Sequence, residues 1–217
     1  NMIITYYGIS CFKIQSGDNI LVFDPPAKNA AIKTPRFEAH IVLISHDHPR
    51  HNGKDSINPK EKELFIANGP GEYEIKEIQI TGIPSFHDDQ NGEKYGQNTI
   101  YKVEWEGIRL CHLGDFGEKE LSDRVKEELN GADILFLPIG GETVIDAKKA
   151  AAIAAQIEPR IVIPMHYTIP NAKNKNQLDE FLKEMGEEKI KAEEKLTIKK
   201  KDILQEESKV VVLKPAI

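Results

Sequence analysis

Apolar and polar positions alternate at the start of the chain. Residues 2–7, 10–15 and 19–24 are short β-prone runs of period two, and Ser16-Gly17-Asp18 supplies a tight turn between the last two. Residues 40–45 then form a continuous apolar run, the pattern of a strand covered on both faces, and it ends in a cluster of histidines. Further β-prone runs follow at 63–67, 72–83, 99–105 and 108–113, with Glu106-Gly107 as the turn between the last pair.

From Glu118 the period changes. The pattern predicts a helix over 118–129, a strand over 133–138, a helix over 146–157, a strand over 160–164, an amphipathic helix over 177–185 and a closing strand over 210–213. Strands first and alternating helices later describe an α/β or α+β chain with mostly mixed sheets. No internal repeat or linker divides it, so a single domain over 1–217 is expected.

Composition narrows the function. A net charge of −6 repels a phosphate backbone, so nucleic acid is not the expected partner and a small-molecule substrate is. The lysines between 189 and 201 are interleaved with Glu193 and Glu194 and read as a solvated face. No apolar stretch is long enough to span a bilayer, and Cys11 and Cys111 sit inside apolar segments as small hydrophobes. A cytoplasmic protein with no membrane contact is expected. The oligomeric state leaves no mark on the sequence.

The chemistry gathers at the ends of strands. Ser45-His46-Asp47-His48-Pro49-Arg50-His51 places three of the seven histidines within six positions. Alternate residues of an extended chain point the same way, so His46 and His48 can converge on one cation, although a histidine-rich surface loop would have the same composition. His87, Asp115 and His166 each follow an apolar run too, and Asp115 has two oxygens with which to bridge two ions. Each is weak evidence alone. His40 opens a strand with no partner motif and reads as structural.

The chain resembles the metallo-β-lactamase superfamily, in its branch of zinc-dependent hydrolases, almost end to end. The segments that carry the likeness are the histidine cluster, Gly69-Pro70-Gly71-Glu72-Tyr73-Glu74, the region of His87, Cys111-His112-Leu113-Gly114-Asp115, Pro138-Ile139-Gly140-Gly141 and Ile163-Pro164-Met165-His166-Tyr167. The resemblance implies an α/β fold, a four-layer αβ/βα sandwich of two mixed sheets with outer helices. By position it assigns His46, His48 and His87 to a first metal, Asp115 to a place between two metals, and His51 and His166 to a second. Asp24 would orient ligands from behind. Asp115 would position the attacking water, and His112 is either a proton shuttle or a plain strand residue.

One position departs from the family pattern of His-x-His-x-Asp-His: Arg50 stands where its aspartate ligates the second metal. A guanidinium offers no lone pair and repels a cation. One Zn²⁺ is therefore expected, with a second ion disfavoured and Mn²⁺ as the alternative metal. The implied activity is hydrolysis of a small ester, lactone or phosphodiester, with Arg50 clamping an anionic group of the substrate. The competing reading is a non-catalytic anion-binding protein in which Arg50 fills the second metal position and pairs with Asp115.

Overall fold

The computed structural model describes residues 1–30, 32–167, 175–187, 189–205 and 207–216. The chain begins with an antiparallel meander of β1 (Met2–Tyr6), β2 (Phe12–Ser16) and β3 (Asn19–Phe23). β4 (Glu38–Ala39), β5 (Ile41–Leu43), β6 (Asn58–Pro59) and β7 (Phe65–Ala67) follow. Two hairpins come next, β8 (Gly71–Ile75) with β9 (Ile78–Phe86) and β10 (Gln97–Trp105) with β11 (Ile108–His112). The second half alternates through α1 (Asp123–Leu129), β12 (Ile134–Pro138), α2 (Ala147–Ile157), β13 (Ile161–Met165), α3 (Gln177–Glu184), β14 (Leu196–Ile198), α4 (Lys200–Gln205) and β15 (Lys209–Val210).

Two mixed sheets result. One has six strands in the order β14-β1-β2-β3-β5-β7, the other seven in the order β15-β13-β12-β11-β10-β9-β8, and β4 pairs with β6 apart from both. The alternation in the sequence decides which residues line the space between the sheets. Met2, Ile4, Tyr6, Phe12 and Ile14 of the first sheet share one core with Tyr101, Val103, Leu110, Ile134, Phe136 and Ile163 of the second. β12 and β13 are buried on both faces: Ile134 and Phe136 join that core, whereas Leu135 and Leu137 pack outward with Val125, Leu129, Ile153 and Phe181 of the helices. The outer face of the first sheet is covered differently. Among the described residues it carries no α-helix but a smaller cluster of Val22, Val42 and Ile44 beneath Ala39 and Ile57.

Helix boundaries follow their caps. The helix expected from Glu118 starts only at Asp123, because the Ser122 hydroxyl accepts the Val125 N–H and fixes the first turn there. The run expected as one strand over 72–83 is a hairpin that turns at Lys76-Glu77, both with positive φ (53° and 62°). Neither residue announces a turn. The lysine-rich stretch read as solvated face contains β14, which pairs with the outer edge of β1, and the start of α4. None of the helices among the described residues is long and apolar enough to cross a membrane.

Candidate metal centre

Five polar residues stand just past the C-terminal ends of strands: Asp24 after β3, His46 after β5, His87 after β9, Asp115 after β11 and His166 after β13. β3 and β5 are neighbours in one sheet, and β9, β10, β11, β12 and β13 are consecutive in the other, so one edge of the sandwich collects them. The backbone bends sharply to do so. Asp24 (φ 44°) and His166 (φ 60°) both adopt left-handed conformations that non-glycine residues rarely hold, a strain that clusters at functional sites. Gly114 (φ 58°) makes the corresponding bend before Asp115, and a Cβ there would lie 2.5 Å from both the Asn98 Oδ1 and the Ser45 Cβ.

The centre is built around one oxygen. Asp115 Oδ2 has four imidazole Nε2 atoms near it: His87 at 2.9 Å, His166 at 3.1 Å, and His46 and His51 at 3.4 Å. A carboxylate oxygen accepts about two hydrogen bonds, so four nitrogens exceed what protons alone can satisfy. The ring of His51 makes this explicit. Its Nδ1 faces the Asp24 carboxylate at 3.2 Å and therefore carries the proton, leaving the Nε2 lone pair turned toward the lone pairs of Asp115. Burial pushes His51 down to about 3, and burial together with the neighbouring His51 ring does the same to His46, so both are neutral near pH 7. Burial raises the Asp115 carboxyl, but His166 and His51 outweigh it and hold Asp115 ionised, well below the usual range.

An ionised carboxylate beside the neutral rings of His46 and His51 is a donor set suited to a divalent cation. The separations also fit, because ligands of one ion at ~2.0–2.1 Å lie roughly 3.4 Å apart in tetrahedral geometry. Three overlapping groups have their donor atoms within 4.8 Å of one another: His46, His48 and His51; His46, His87 and Asp115; and His51, Asp115 and His166. The buried Nδ1 atoms of His87 and His166 have no hydrogen-bond partner. Imidazole and carboxylate together suit Zn²⁺ or Mn²⁺.

Asp24 lies behind this set and reaches His46 through a residue the sequence did not single out. One of its oxygens accepts the Ser45 N–H at 2.7 Å, and the other accepts the Ser45 hydroxyl at 2.6 Å. Ser45 Oγ in turn lies 3.0 Å from His46 Nδ1. Both rings thus have their Nδ1 side anchored and their Nε2 side free for a ligand. Asn98 holds Asp115 in the same manner, accepting its N–H at 2.9 Å and donating to Leu113 O, and the Ser10 hydroxyl lies 3.4 Å from Asp115 Oδ1. Ser45 was legible from its place beside His46. Ser10, in the turn between β1 and β2, and Asn98, in β10, are distant in sequence and had no signal.

Three further residues of the sequence reading take particular places. His112 is not placed as a proton shuttle: its Nε2 donates to Ser10 O at 2.9 Å, its Nδ1 accepts the Gly114 N–H at 3.2 Å, and its buried ring stacks on Phe23. With both nitrogens committed to backbone, it braces the turn before Asp115. His48 is exposed, and its Nδ1 accepts the Arg50 N–H at 3.2 Å, which leaves Nε2 as the atom free to join His46 and His51. Arg50 forms no ion pair among the described residues, with Asp115 or any other carboxylate, although its charge adds to burial in lowering His48. His40 is structural, as read: its Nδ1 accepts the Ile20 N–H, remote from the centre.

Directly after His87 the chain folds around Asp88, whose carboxylate accepts the N–H groups of Gln90, Gly92, Lys94 and Tyr95. Desolvation pushes this carboxyl up, but those four donors outweigh it and hold it at about 2. A depressed folded value gives stability that is present above the ordinary carboxylate range and is lost as pH falls toward 2. The Asp88→Asn protein should therefore melt lower than wild type at pH 7, with the difference closing on acidification to pH 2 as followed by circular dichroism. The loop brings Tyr95 to 5.2 Å from the His87 ring, beside a polar cavity of about 200 Å³ that includes Lys94, Glu142 and Asp146.

Comparison with known proteins places this geometry in context. Residues 3–166 match the family model of the beta-lactamase superfamily domain. A UPF0173 metal-dependent hydrolase of Thermococcus onnurineus is 29% identical over 194 residues, spanning 76% of this chain and 84% of the relative. Another, from Pyrococcus furiosus, is 28% identical over an alignment covering 98% of this chain and 96% of its own. Among solved structures, a Thermotoga maritima protein assigned as a Zn-dependent hydrolase of the metallo-beta-lactamase superfamily is 30% identical, with a TM-score of 0.78 and 98% of both chains covered.

Proposed function

The chain belongs to the beta-lactamase superfamily, and from that premise we propose that it is a metal-dependent hydrolase of a small ester, lactone or phosphodiester. The convergence of four imidazole nitrogens on Asp115 Oδ2 carries this reading. When bound, a divalent cation supplies Lewis acidity that lowers the pKa of water toward ~7. The residues supply the rest. His46, His48 and His87 with Asp115 would hold the ion. Asp115 would orient the attacking water, and Asp24 would keep the rings aimed. Arg50, charged and without an ion pair, binds the anionic part of the substrate.

His51 and His166 form a second group with Asp115, but the adjacent guanidinium of Arg50 opposes a second positive charge. One tightly held ion per chain follows. Elemental analysis of purified protein should give about one zinc or manganese, and chelation should abolish hydrolysis of generic esters or phosphodiesters until Zn²⁺ or Mn²⁺ is restored. Activity that survives chelation, or a chain that takes up no metal, sinks the proposal. The Arg50→Asp variant should move the content from one toward two ions. An unchanged content would remove Arg50 from the account.

A further inference from the structure

A second cavity, of about 910 Å³, lies beside the loop between β3 and β4, and none of the candidate metal ligands lines it. Four cations do: Lys13, Lys28, Lys33 and Arg36. Among the described residues none of the four forms an ion pair, in a chain whose net charge is −6 and whose other basic side chains include several paired ones, such as Lys76, Lys102 and Arg109. Tyr7 and Phe37 form an aromatic wall of the same cavity, with ring centroids 5.0 Å apart. Lys13 lies over that wall, its Nζ 5.3 Å from the Phe37 centroid, and burial lowers its pKa.

Each feature limits the ligand. Four cations without ion pairs around one concavity favour a ligand with several negative charges. Phosphate oxygens suit lysine and arginine donors. An aromatic wall stacks on a flat ring, and arginine and lysine over such a ring add to the attraction. The volume is that of a site for a molecule of drug size. We infer that this cavity is a nucleotide site: the lysines and Arg36 take the phosphates of a nucleoside diphosphate, and Tyr7 and Phe37 take its base.

The loop also touches the metal centre. Ala27 N donates to Pro49 O at 2.7 Å and Gly53 N to Pro25 O at 2.6 Å, so the segment between the cavity and the histidine cluster is bonded to both flanks of that cluster. The inference itself does not depend on the metal reading.

Calorimetric titration of the metal-loaded protein with ADP, pyrophosphate and adenosine at low salt provides the test. ADP should bind and adenosine should not. The Lys33→Glu, Arg36→Glu double variant should weaken ADP by at least about tenfold while leaving metal content and hydrolysis of a generic substrate unchanged. Phe37→Ala should weaken ADP and leave pyrophosphate unaffected. Absence of ADP binding, or equal affinity in the double variant, overturns the site. Equal affinity for pyrophosphate and ADP with no effect of Phe37→Ala overturns the nucleotide assignment.

Discussion

Replacing Asp115 by Asn is expected to cut hydrolytic turnover by at least about 10²-fold, the cost of misplacing a reacting group. The same change should empty the metal centre. Asp115 Oδ2 is the atom that the Nε2 atoms of His46, His51, His87 and His166 share. An amide in its place can present N–H groups to the imidazole lone pairs, which satisfies them without a cation. The metal-free variant should nevertheless melt below metal-free wild type at pH 7, because a carboxyl held well below its usual range contributes stability that the amide lacks. Metal analysis, turnover and thermal melting on the same preparations separate loss of the centre from loss of the fold. Wild-type metal content together with wild-type turnover in the variant would refute the proposed role.

The second large effect falls on a residue that touches no metal in the proposed scheme. Asp24→Asn should weaken metal binding by ~10- to 100-fold, the usual loss when a partner that aims a ligand is removed. The Asp24 carboxylate receives three donors, the Ser45 N–H, the Ser45 hydroxyl and the His51 Nδ1–H, and it is buried. An amide must turn its own N–H toward at least one of them, leaving two donors face to face at a cost of about 1–3 kcal/mol. His51 then loses the partner that fixes its proton on Nδ1, and His46 loses the same support through Ser45. Asp47 provides the contrast. It lies in the same motif but is exposed and accepts only from Asn52 Nδ2, so Asp47→Asn should leave affinity unchanged. Competition with a chromogenic chelator measures both variants. Equal affinities would mean that Asp24 stabilises the strand end and no more.

The fold rests on patterns that the chain states locally. Period-two alternation in β1 and β2, continuous apolar runs in β12 and β13, and capping residues at Ser122 and Asp146 each act within a few neighbours. The helix–strand boundaries that went astray, at Lys76-Glu77 and at β14, are places where tertiary pairing overrides local preference. β14 is held only by the open edge of β1, far away in sequence.

The candidate ligands divide the same way. Sequence by itself determined that polar residues would stand at strand ends and that His46, His48 and His51 would lie close, since extended chain and a short loop leave them nowhere else to go. It could not determine that β3 and β5 of one sheet would meet β9, β11 and β13 of the other at one edge, because strand order depends on the packing of two sheets. That packing alone brought Ser10, Asn98 and Asp24 behind the ligands and turned His112 inward. It also gathered Lys13, Lys28, Lys33 and Arg36 around one cavity while the chain as a whole stays acidic. Hydrophobic periodicity acts over a few residues and fixes which way a side chain faces; which distant side chains it then meets is decided only when the sheets close on each other.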